Sequence, residues 1–386
     1  MMTMVRYPAP ITDRKIRFAL AGCGRISRNH FAALTEHRAH AELVAVCDID
    51  RSVLDEAAAA TGARKYESLH AMLGETEADI VVLSTPSGLH SDQAILVAES
   101  GRHVMTEKPM ATRWEDAKRM VSACDAAGVR LFVVKQNRRN ATLQLLKRAV
   151  ERKRFGQIYM VNINVFWSRP QSYYNSAKWR GTWEFDGGAF MNQASHYVDL
   201  LDWLIGPVES LQAYTATLAR DIEVEDTGVM NLRWRSGALG SVNVTMLTYP
   251  KNLEGSITIL GEKGTVRVGG VAVNEIQHWE FADADEDDVR VRDANYQTTS
   301  VYGFGHPLYC DNVIKVLRGE AEPETDGREG LVGGDQTIAK ELRATGKPVI
   351  VAVNKADDKR ARGAAAEFYQ LGIDPVFEIS AEHGTG

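Results

Sequence analysis

Short apolar runs alternate with amphipathic stretches along the first third of the chain. The apolar runs predict strands at 16–21, 43–48, 80–84, 103–105 and 129–134, and the amphipathic stretches predict helices at 27–36, 51–61, 91–99 and 114–127. Most positions within these predicted strands are apolar, which is typical of strands that are buried on both faces. Strands separated by helices predict βαβ units and a parallel sheet.

The pattern changes after Arg138, where apolar and polar residues begin to alternate. In the stretch 158–167, the alternation predicts Tyr159, Val161, Ile163 and Val165 on one face of a strand. Further strands are predicted at 229–234, 239–246, 256–260 and 265–268. This pattern indicates a mostly antiparallel sheet with one face solvated or covered by a partner. The acidic run 282–288 is predicted to be a solvated loop.

Composition and charge narrow the class of protein. The 386 residues are 44% hydrophobic and 25% charged, which is typical of a soluble globular chain with two cores. A net charge of -6 does not favour nucleic acid or an anionic membrane as a partner. Spanning a bilayer takes an apolar run of about 18 residues, and the sequence contains none. The start of the chain also lacks the apolar core of a signal peptide. The four cysteines form no CxxC pair, so we expect a cytoplasmic protein without a metal site.

A glycine-rich turn follows the first predicted strand directly. Gly22 and Gly24 occupy the first two positions of a dinucleotide-binding fingerprint, Arg25 and Ile26 follow, and the small Ser27 stands at the third glycine position. The first glycine allows a tight bend, and the second lets the backbone approach a pyrophosphate at a helix N-terminus. These features predict a site for a dinucleotide.

The next predicted strand ends in Asp48, where an acid can accept hydrogen bonds from the adenosine ribose. A carboxylate there repels a 2'-phosphate, which favours NAD over NADP. Two alternatives stay open from the residues alone. Asp48 could instead cap the following helix, although Asp50 is an equal candidate for that role, and Arg51 could neutralise the phosphate of NADP.

Two polar segments follow later strands of the same predicted sheet. The first contains Ser84, Thr85, Pro86 and His90, and the second is the tripeptide 107–109, which reads Glu-Lys-Pro. Ligands of open α/β folds bind at the carboxyl edge of the sheet, where both segments are expected. The alternative for Glu-Lys-Pro is an exposed charged turn.

These segments resemble the glucose–fructose oxidoreductase/inositol dehydrogenase/MocA family. The resemblance covers about 15–331 and includes the stretch 186–199, DGGAFMNQASHYVD. It implies an α/β Rossmann domain and an α+β substrate domain with a large, mostly antiparallel sheet that commonly forms the subunit interface. We therefore expect a homodimer or homotetramer with NAD as cofactor. The predicted division is an N-terminal extension (1–14), a Rossmann domain (15–138), a substrate-binding and oligomerisation domain (139–331) and a foreign C-terminal fragment (332–386).

The resemblance also implies two catalytic residues, Lys108 and His196. Oxidation of an alcohol must remove a proton as hydride leaves carbon, and either a histidine or a partly buried lysine can exchange that proton near neutral pH. The sequence leaves open which of the two is the proximal base. Many family members carry an aspartate four residues before the histidine, where this chain has Asn192. A carboxylate relay to His196 would then require Asp199, which could equally be a structural partner.

The aromatic and arginine-rich run 167–188, together with 135–138 and 301–306, resembles a narrower group within the family. This group is the UDP-N-acetylglucosaminuronate 3-dehydrogenases of lipopolysaccharide sugar synthesis, which oxidise the 3-hydroxyl of a UDP-sugar to a ketone. Some enzymes of this type retain NAD and recycle it with 2-oxoglutarate. The implied cofactor-binding residues are Gly22, Gly24, Arg25, Ile26, Asp48, Ser84, Thr85, Pro86, His90, Glu107, Lys108 and Gln136. The implied substrate-binding residues are Lys108, Arg169, Tyr173, Trp179, Arg180, Asn192, Gln193, His196, Tyr302 and His306.

The last part of the chain resembles a different protein class. Asn354, Lys355 and Asp357 form an NKxD motif after an apolar run, and Ser380 and Ala381 follow at the spacing of a supporting loop. This is similar to the second half of a GTPase domain from the tandem-GTPase (Der-type) ribosome-assembly proteins. The phosphate-binding GxxxxGK[ST] is not found in the sequence, so GTP binding by this tail is not expected. The amphipathic stretch 335–345 is a candidate replacement for the helix that would close the family's fold.

Three other functions remain as alternatives to a sugar-nucleotide dehydrogenase. The fold could oxidise a free polyol such as inositol, serve as a non-catalytic NAD-binding regulator, or carry a GTP-binding module. The arginine- and tryptophan-rich run argues against the polyol, and the presence of both Lys108 and His196 argues against the regulator.

Overall fold

The first part of the chain folds into a parallel six-stranded sheet flanked by helices. Its strands are β1 (Ile16–Ala21), β2 (Ala41–Cys47), β3 (Arg64–Tyr66), β4 (Ile80–Leu83), β5 (His103–Thr106) and β6 (Leu131–Val133), and its helices are α1 (Ser27–Glu36), α2 (Arg51–Thr61), α3 (Leu69–Glu75), α4 (His90–Glu99) and α5 (Trp114–Ala127). The strand order is β3-β2-β1-β4-β5-β6. This computed structural model confirms the predicted Rossmann class. The short β3 and α3 are additional to the prediction.

The strand order reverses direction between β1 and β4, which creates a crevice at the carboxyl ends of these strands. Local signals begin and end the helices around it. Asp50 caps α2 by accepting hydrogen bonds from Ser52 N and Val53 N, and Gly62 ends this helix in the left-handed conformation at φ +72°. The capping role that the sequence left open between Asp48 and Asp50 therefore belongs to Asp50.

The second part of the chain builds a seven-stranded sheet in the order β13-β12-β11-β7-β10-β9-β8. The strands are β7 (Ile158–Phe166), β8 (Val208–Ala216), β9 (Thr227–Trp234), β10 (Leu239–Thr245), β11 (Glu254–Gly261), β12 (Gly264–Gly269) and β13 (Glu275–Phe281), and the helices are α6 (Ala141–Glu151), α7 (Gln171–Asn175), α8 (Ser195–Leu200), α9 (Val291–Ala294) and α10 (Gly305–Leu317). Only β7 and β10 pair in parallel among these described strands, so the predicted, mostly antiparallel sheet is confirmed.

One face of this sheet is buried, and α6 and α8 contribute residues to the same core. Val161, Ile163 and Val165 are fully buried, as the alternation of β7 predicts. The prediction for Tyr159 was wrong, because this residue is 52% exposed. A register shift between β7 and β11 at Leu260 and Gly261 interrupts the alternation at the start of β7.

The predicted solvated loop at 282–288 is also partly wrong. The side chain of Asp287 is buried, and its carboxylate accepts hydrogen bonds of 2.9 and 3.1 Å from Arg148 of α6. Arg154 binds Asp288 at 2.7 Å. The acidic run therefore packs onto arginines near the C-terminus of α6, which a local charge pattern does not reveal.

The sheet of the first domain is buried on both faces, in two hydrophobic clusters that take alternate residues of β1. Helix α10 lies late in the chain but packs against α1, and Tyr309, Val313 and Ile314 belong to the core of the first domain. The hydroxyl of Tyr309 donates to the carbonyl of Val133 at 2.7 Å. The chain thus returns to the nucleotide-binding fold after building the second sheet.

The structure describes residues 7–298, 301, 303–327, 351–353 and 376–378. The chain divides into a unit of residues 7–327 and a unit of residues 1–6 and 328–386. In the latter, β14 (Val351–Val353) and β15 (Val376–Glu378) pair in parallel. Tyr302, the stretch 335–345, the NKxD motif and the pair 380–381 lie outside the described residues. No helix in the described part is long and apolar enough to cross a bilayer.

Candidate active site

The glycine turn lies directly at the carboxyl end of β1. Gly22 has φ +90°, and a Cβ there would lie 2.6 Å from the backbone of Ser84 and Thr85, so only glycine fits. The hydroxyl of Ser84 donates to the carbonyl of Gly22 at 2.7 Å. A Cβ on Gly24 would meet no protein atom within 4 Å. The backbone at Gly24 therefore faces open space. Arg25 and Ile26 follow it and lead into α1.

Asp48 lies beside this turn at the end of β2. Its carboxylate accepts hydrogen bonds from the backbone N–H of Cys23 at 2.7 Å and of Asp50 at 2.9 Å. The acid is thereby tied to the glycine turn and stays partly exposed. This arrangement suits a carboxylate that accepts hydrogen bonds from ribose hydroxyls. The turn, the open space and the acid together fit the dinucleotide that the sequence predicts.

The segment after β4 forms the opposite wall of the crevice. Pro86 precedes a short 3-10 turn, and Thr85 donates to the side-chain oxygen of Gln93 at 2.5 Å. His90 is buried, and its ring nitrogens lie 2.9 and 3.0 Å from the carbonyl oxygens of Pro109 and Thr85. The ring of His90 therefore bridges the backbones of the two segments that follow β4 and β5.

Glu107 lies between two histidines at the end of β5. Its Oε1 is 2.9 Å from Nε2 of His30 and 3.4 Å from Nε2 of His306, and its Oε2 accepts the N–H of Lys108 at 3.2 Å. Burial raises the pKa of Glu107, but these hydrogen bonds outweigh it and hold the pKa well below its usual range. The three side chains also form a possible set of metal ligands, the one such cluster among the described residues. Their mutual hydrogen bonds account for the cluster, and the predicted lack of a metal site stays a prediction.

The amine of Lys108 points toward the second domain. Its Nζ donates to the backbone carbonyl of Asn192 at 3.1 Å. Burial lowers the pKa of Lys108, while the charges of Glu107 and Asp186 oppose this shift. A lysine with a lowered pKa is suited to exchange a proton with a substrate hydroxyl.

His196 lies in the same region, on α8. Burial and the nearby Lys108 lower the pKa of His196 to about 3, so the imidazole is neutral at physiological pH. Its Nε2 lies 3.0 Å from the amide nitrogen of Gln136. The structure thus brings the two predicted catalytic side chains and Gln136 together.

Asp199 does not serve as a carboxylate partner of His196 in this structure. Its oxygens accept hydrogen bonds from Lys135 at 2.5 Å and from Arg138 at 2.7 Å. These two cations hold the pKa of Asp199 at about 2 despite its burial. Of the two roles that the sequence left open for Asp199, the observed contacts fit that of a structural partner.

Five of the predicted substrate residues form one cluster of hydrogen bonds and cation–π contacts beside Lys108: Arg169, Tyr173, Trp179, Arg180 and Gln193. Tyr173 accepts hydrogen bonds at its hydroxyl from Arg180 at 2.5 Å and from Gln193 at 3.1 Å. Gln193 in turn accepts from Nε of Arg169 at 2.9 Å. The guanidinium of Arg180 lies over the rings of Tyr173 and Trp179 at 4.3 and 4.5 Å. His306 is separate from this cluster and binds Glu107 instead.

Two further residues of this region were not singled out from the sequence. Asp186 is buried and accepts a hydrogen bond from the side-chain amide of Asn192 as well as one of 2.6 Å from Gly181 N. Burial raises the pKa of Asp186. His30 holds Glu107 from α1. Asp186, which precedes a double glycine, and His30, which lies four residues after Ile26, are both visible in the sequence, but their partners are distant along the chain.

Comparison with known proteins identifies the family to which the chain belongs. A profile described as "Oxidoreductase family, NAD-binding Rossmann fold" matches residues 16–135, and one described as "Oxidoreductase family, C-terminal alpha/beta domain" matches residues 147–333. Both belong to the glucose–fructose oxidoreductase/inositol dehydrogenase/MocA group. The chain belongs to this oxidoreductase family. The family resemblance and the NAD-binding fold predicted from the sequence are confirmed.

Two solved structures are similar over most of the chain. The WlbA dehydrogenase of Bordetella pertussis, in complex with NADH and UDP-GlcNAcA, is 71% identical with a TM-score of 0.82, and the match covers 86% of this chain and 95% of that one. The WlbA dehydrogenase of Chromobacterium violaceum, in complex with the same two molecules, is 70% identical with a TM-score of 0.81, covering 89% and 97%. UDP-GlcNAcA is the uronate named by the sequence resemblance.

The C-terminal residues match a different protein. The GTPase Der of Aliivibrio fischeri is 51% identical over 61 residues, which is 16% of this chain and 12% of that protein. The predicted resemblance of the tail to a Der-type fragment is confirmed. The chain thus combines most of an oxidoreductase with a small part of a GTPase.

Proposed function

We propose that this oxidoreductase oxidises the 3-hydroxyl of UDP-N-acetylglucosaminuronate to the 3-keto sugar with NAD. The observation that carries the proposal is the identity of 70–71% to two dehydrogenases in complex with NADH and UDP-GlcNAcA. The glycine turn, Asp48 and the 84–90 segment are the residues that would hold the dinucleotide, and bound NAD supplies the acceptor for the hydride.

Lys108 provides a proton acceptor next to the second domain. Burial favours its neutral amine, which has a lone pair for the proton of a sugar hydroxyl. Its bond to the carbonyl of Asn192 directs Nζ across the site. In this arrangement Lys108 binds the reacting hydroxyl, and His196 donates or accepts a hydrogen bond beside it.

Arg180 is the strongest candidate for binding the anionic substrate. Within the described residues, its guanidinium has no carboxylate at ion-pair distance, its Nε is buried without a hydrogen-bond partner, and its bond to a protein side chain goes to the neutral Tyr173. A uronate carboxylate or a diphosphate would supply the missing charge through short hydrogen bonds. Trp179 and Tyr173 offer flat surfaces for a sugar or a uracil ring beside it.

The test measures reduced-nicotinamide absorbance when UDP-GlcNAcA is added to the purified full chain with NAD, at enzyme and substrate concentrations that make one turnover visible. UDP-GlcNAc, which lacks the carboxylate, and inositol are the comparison substrates. We expect reduction with UDP-GlcNAcA and little with either comparison.

Two variants sharpen this test. Lys108→Ala should abolish the reduction while NAD still binds, and Arg180→Gln should raise the KM for UDP-GlcNAcA by weakening the binding of the anionic substrate. Reduction by inositol alone would favour the polyol alternative. No reduction with any substrate, in a protein that binds NAD, would favour the regulator.

A further inference from the structure

The segment that follows β4 touches a loop of the second domain at Gly88. A Cβ on Gly88 would lie 2.0 Å from the carbonyl oxygen of Glu184 and 2.9 Å from the Cα of Phe185. The N–H of Gly88 donates to the carbonyl of Phe185 at 3.2 Å. The φ of Gly88 lies outside the left-handed region, so the backbone conformation does not require glycine here. The close approach of two backbones alone excludes a side chain.

The loop on the other side of this contact comprises residues 179–187, which we call the substrate loop. The carbonyl of Thr182 accepts the N–H of Asp186 at 3.1 Å, and the carboxylate of Asp186 accepts the N–H of Gly181 at 2.6 Å. The hydroxyl of Thr182 donates to the carbonyl of the first residue of the loop at 2.7 Å. Because these bonds close the loop on itself, we expect a displacement of Glu184 to move the whole loop.

The substrate loop is connected to two groups of the proposed mechanism. Arg180, the candidate for binding the anionic substrate, lies near its start. At its end, Asp186 accepts a hydrogen bond from the side chain of Asn192, and the backbone carbonyl of Asn192 accepts the hydrogen bond from Nζ of Lys108 at 3.1 Å. A shift of the loop would therefore reach both the anion-binding guanidinium and the acceptor that directs the catalytic amine.

Gly88 itself is connected to the backbone beside Lys108. It lies two residues before His90, whose ring nitrogens lie 3.0 and 2.9 Å from the carbonyl oxygens of Thr85 and Pro109. Pro109 follows Lys108 directly in the chain. The contact at Gly88 thus joins a segment held beside the catalytic lysine to the loop that carries the anion-binding arginine.

A second hydrogen bond connects the first domain to the same peptide of the substrate loop. The hydroxyl of Thr112 donates to the carbonyl of Glu184 at 3.2 Å. This carbonyl oxygen is also the atom that a Cβ on Gly88 would meet first. Two separate segments of the first domain therefore hold the peptide between Glu184 and Phe185.

We propose that Gly88 is a positioning residue, whose missing side chain lets the substrate loop pack directly on the 84–90 segment and so sets the distance between Arg180 and Lys108. The inference rests on the proposed function. A Cβ would meet the oxygen of Glu184 at 2.0 Å, and real contacts of this kind exceed 3.0 Å, so a methyl group here displaces the loop by about 1 Å. A misplacement of about 1 Å can lower turnover by about 100-fold.

Gly88→Ala tests this inference in the full chain. We expect kcat/KM for UDP-GlcNAcA to fall by about 100-fold, with a higher KM and a lower kcat, because the substrate is no longer aligned with the nicotinamide. The affinity for NAD should stay close to that of the wild type, since the added methyl group faces Glu184. Rates are expressed per NAD-binding site titrated in the same sample. Loss of folded protein alone would lower the number of sites and leave the rate per site unchanged.

Gly74→Ala on α3 is the matched control. A Cβ there meets no atom within 4 Å, and the φ of Gly74 also lies outside the left-handed region. We expect its kcat/KM and its affinity for NAD to equal those of the wild type. An equal loss of kcat/KM in both variants, or a fall in Gly88→Ala that is matched by its loss of NAD affinity, would contradict the inference.

Variants of Thr112 loosen the same contact without adding bulk at residue 88, so they test the inference even if Gly88→Ala does not fold. Thr112→Val removes the hydroxyl at nearly constant shape and should raise the KM for UDP-GlcNAcA by about 5-fold, the change expected for one hydrogen bond. Thr112→Ser keeps the hydroxyl and should resemble the wild type. Equal KM values for Thr112→Val and the wild type would contradict a role of this contact.

Amide hydrogen exchange measures the packing of the substrate loop without a substrate. The N–H of residue 88 has the carbonyl of Phe185 as its acceptor, so it should exchange faster in Gly88→Ala and remain unchanged in Gly74→Ala. Unaltered exchange at residue 88, together with an unaltered rate per NAD-binding site, would overturn the inference. If the wild type turns over no UDP-uronate while exchange at residue 88 rises in Gly88→Ala, the proposed function fails and the packing role of Gly88 stands.

Discussion

Single residues define both ends of the candidate site. At one end, Gly22 and Gly24 give the backbone its bend and its open space. At the other, burial is the largest effect on the pKa of both Lys108 and His196, and it favours the neutral amine and the neutral imidazole. We therefore expect the chemistry of the site to depend on a few positions where neither size nor charge can change freely.

The pH dependence of turnover should follow Lys108. The amine must be neutral to accept a proton, so kcat/KM should fall as pH drops through its folded pKa, which lies below the ordinary 10.5. Lys108→Met should lower kcat by about 100-fold or more, as expected for loss of a general base. A pH–rate profile of both proteins checks this, and an unchanged kcat in Lys108→Met would contradict the role.

Substitution of the two glycines should separate folding from cofactor binding. Gly22→Ala places a methyl group against backbone atoms at a positive φ, so we expect a lower melting temperature and loss of NAD binding. Gly24→Ala meets no protein atom and should melt normally, yet bind NAD more weakly because its methyl group occupies the approach to the pyrophosphate. Thermal melts and titration with NAD measure the two effects. Equal behaviour of both variants would contradict this account.

At the scale of elements, the site forms where segments that follow strands of the first sheet meet a helix of the second domain. Lys108 follows β5, His196 belongs to α8, and Gln136 lies in a 3-10 turn after β6. Asp199 connects the last two by binding Lys135 and Arg138. The ion pairs of Asp199 thus join the turn that carries Gln136 to the helix that carries His196.

Replacement of Asp199 should therefore affect both stability and activity. Asp199→Asn leaves two partly or fully buried cations without their carboxylate, a change that typically costs about 3–5 kcal/mol. We expect a clearly lower free energy of unfolding and reduced kcat, since Gln136 loses its fixed position. Asp311→Asn is the matched control, because it removes a carboxylate from the ordinary i,i+4 pair with Lys315 on α10 and should cost little. Denaturant unfolding compares them, and equal losses would contradict a special role for Asp199.

For the whole molecule, the second sheet has one covered face and one open face. Strand β8 is exposed along almost its full length, and Tyr214, Val229 and Leu239 are 74%, 47% and 49% exposed. Apolar surface of this kind marks interaction sites. We therefore expect the full chain to form a homodimer or homotetramer through this sheet.

Light scattering after size-exclusion chromatography measures the oligomeric state. Tyr214→Lys combined with Val229→Lys should shift the protein toward the monomer, because two buried cations would oppose association. Val289→Lys, at an exposed position in the turn before α9, is the matched control and should leave the mass unchanged. A wild-type mass equal to one chain would contradict the prediction.

The sequence by itself determined the class of fold, the nucleotide turn and the family. These features depend on local periodicity and on short motifs, and both are written in consecutive residues: β1, α1, α2 and α5 begin and end where the apolar pattern predicts. The similarity of the tail to a Der-type GTPase was likewise visible in a short motif of neighbouring residues.

Only the tertiary structure decided how separate segments meet. The hydrogen bonds of Asp48 and of Asp199, the pairing of Glu107 with His30 and His306, and the contact between Gln136 and His196 join residues up to 199 positions apart. Burial, which is the largest effect on the pKa of Lys108 and of His196, is likewise a property of the packed chain. Local sequence cannot specify it, because the surrounding atoms come from elements that are distant along the chain.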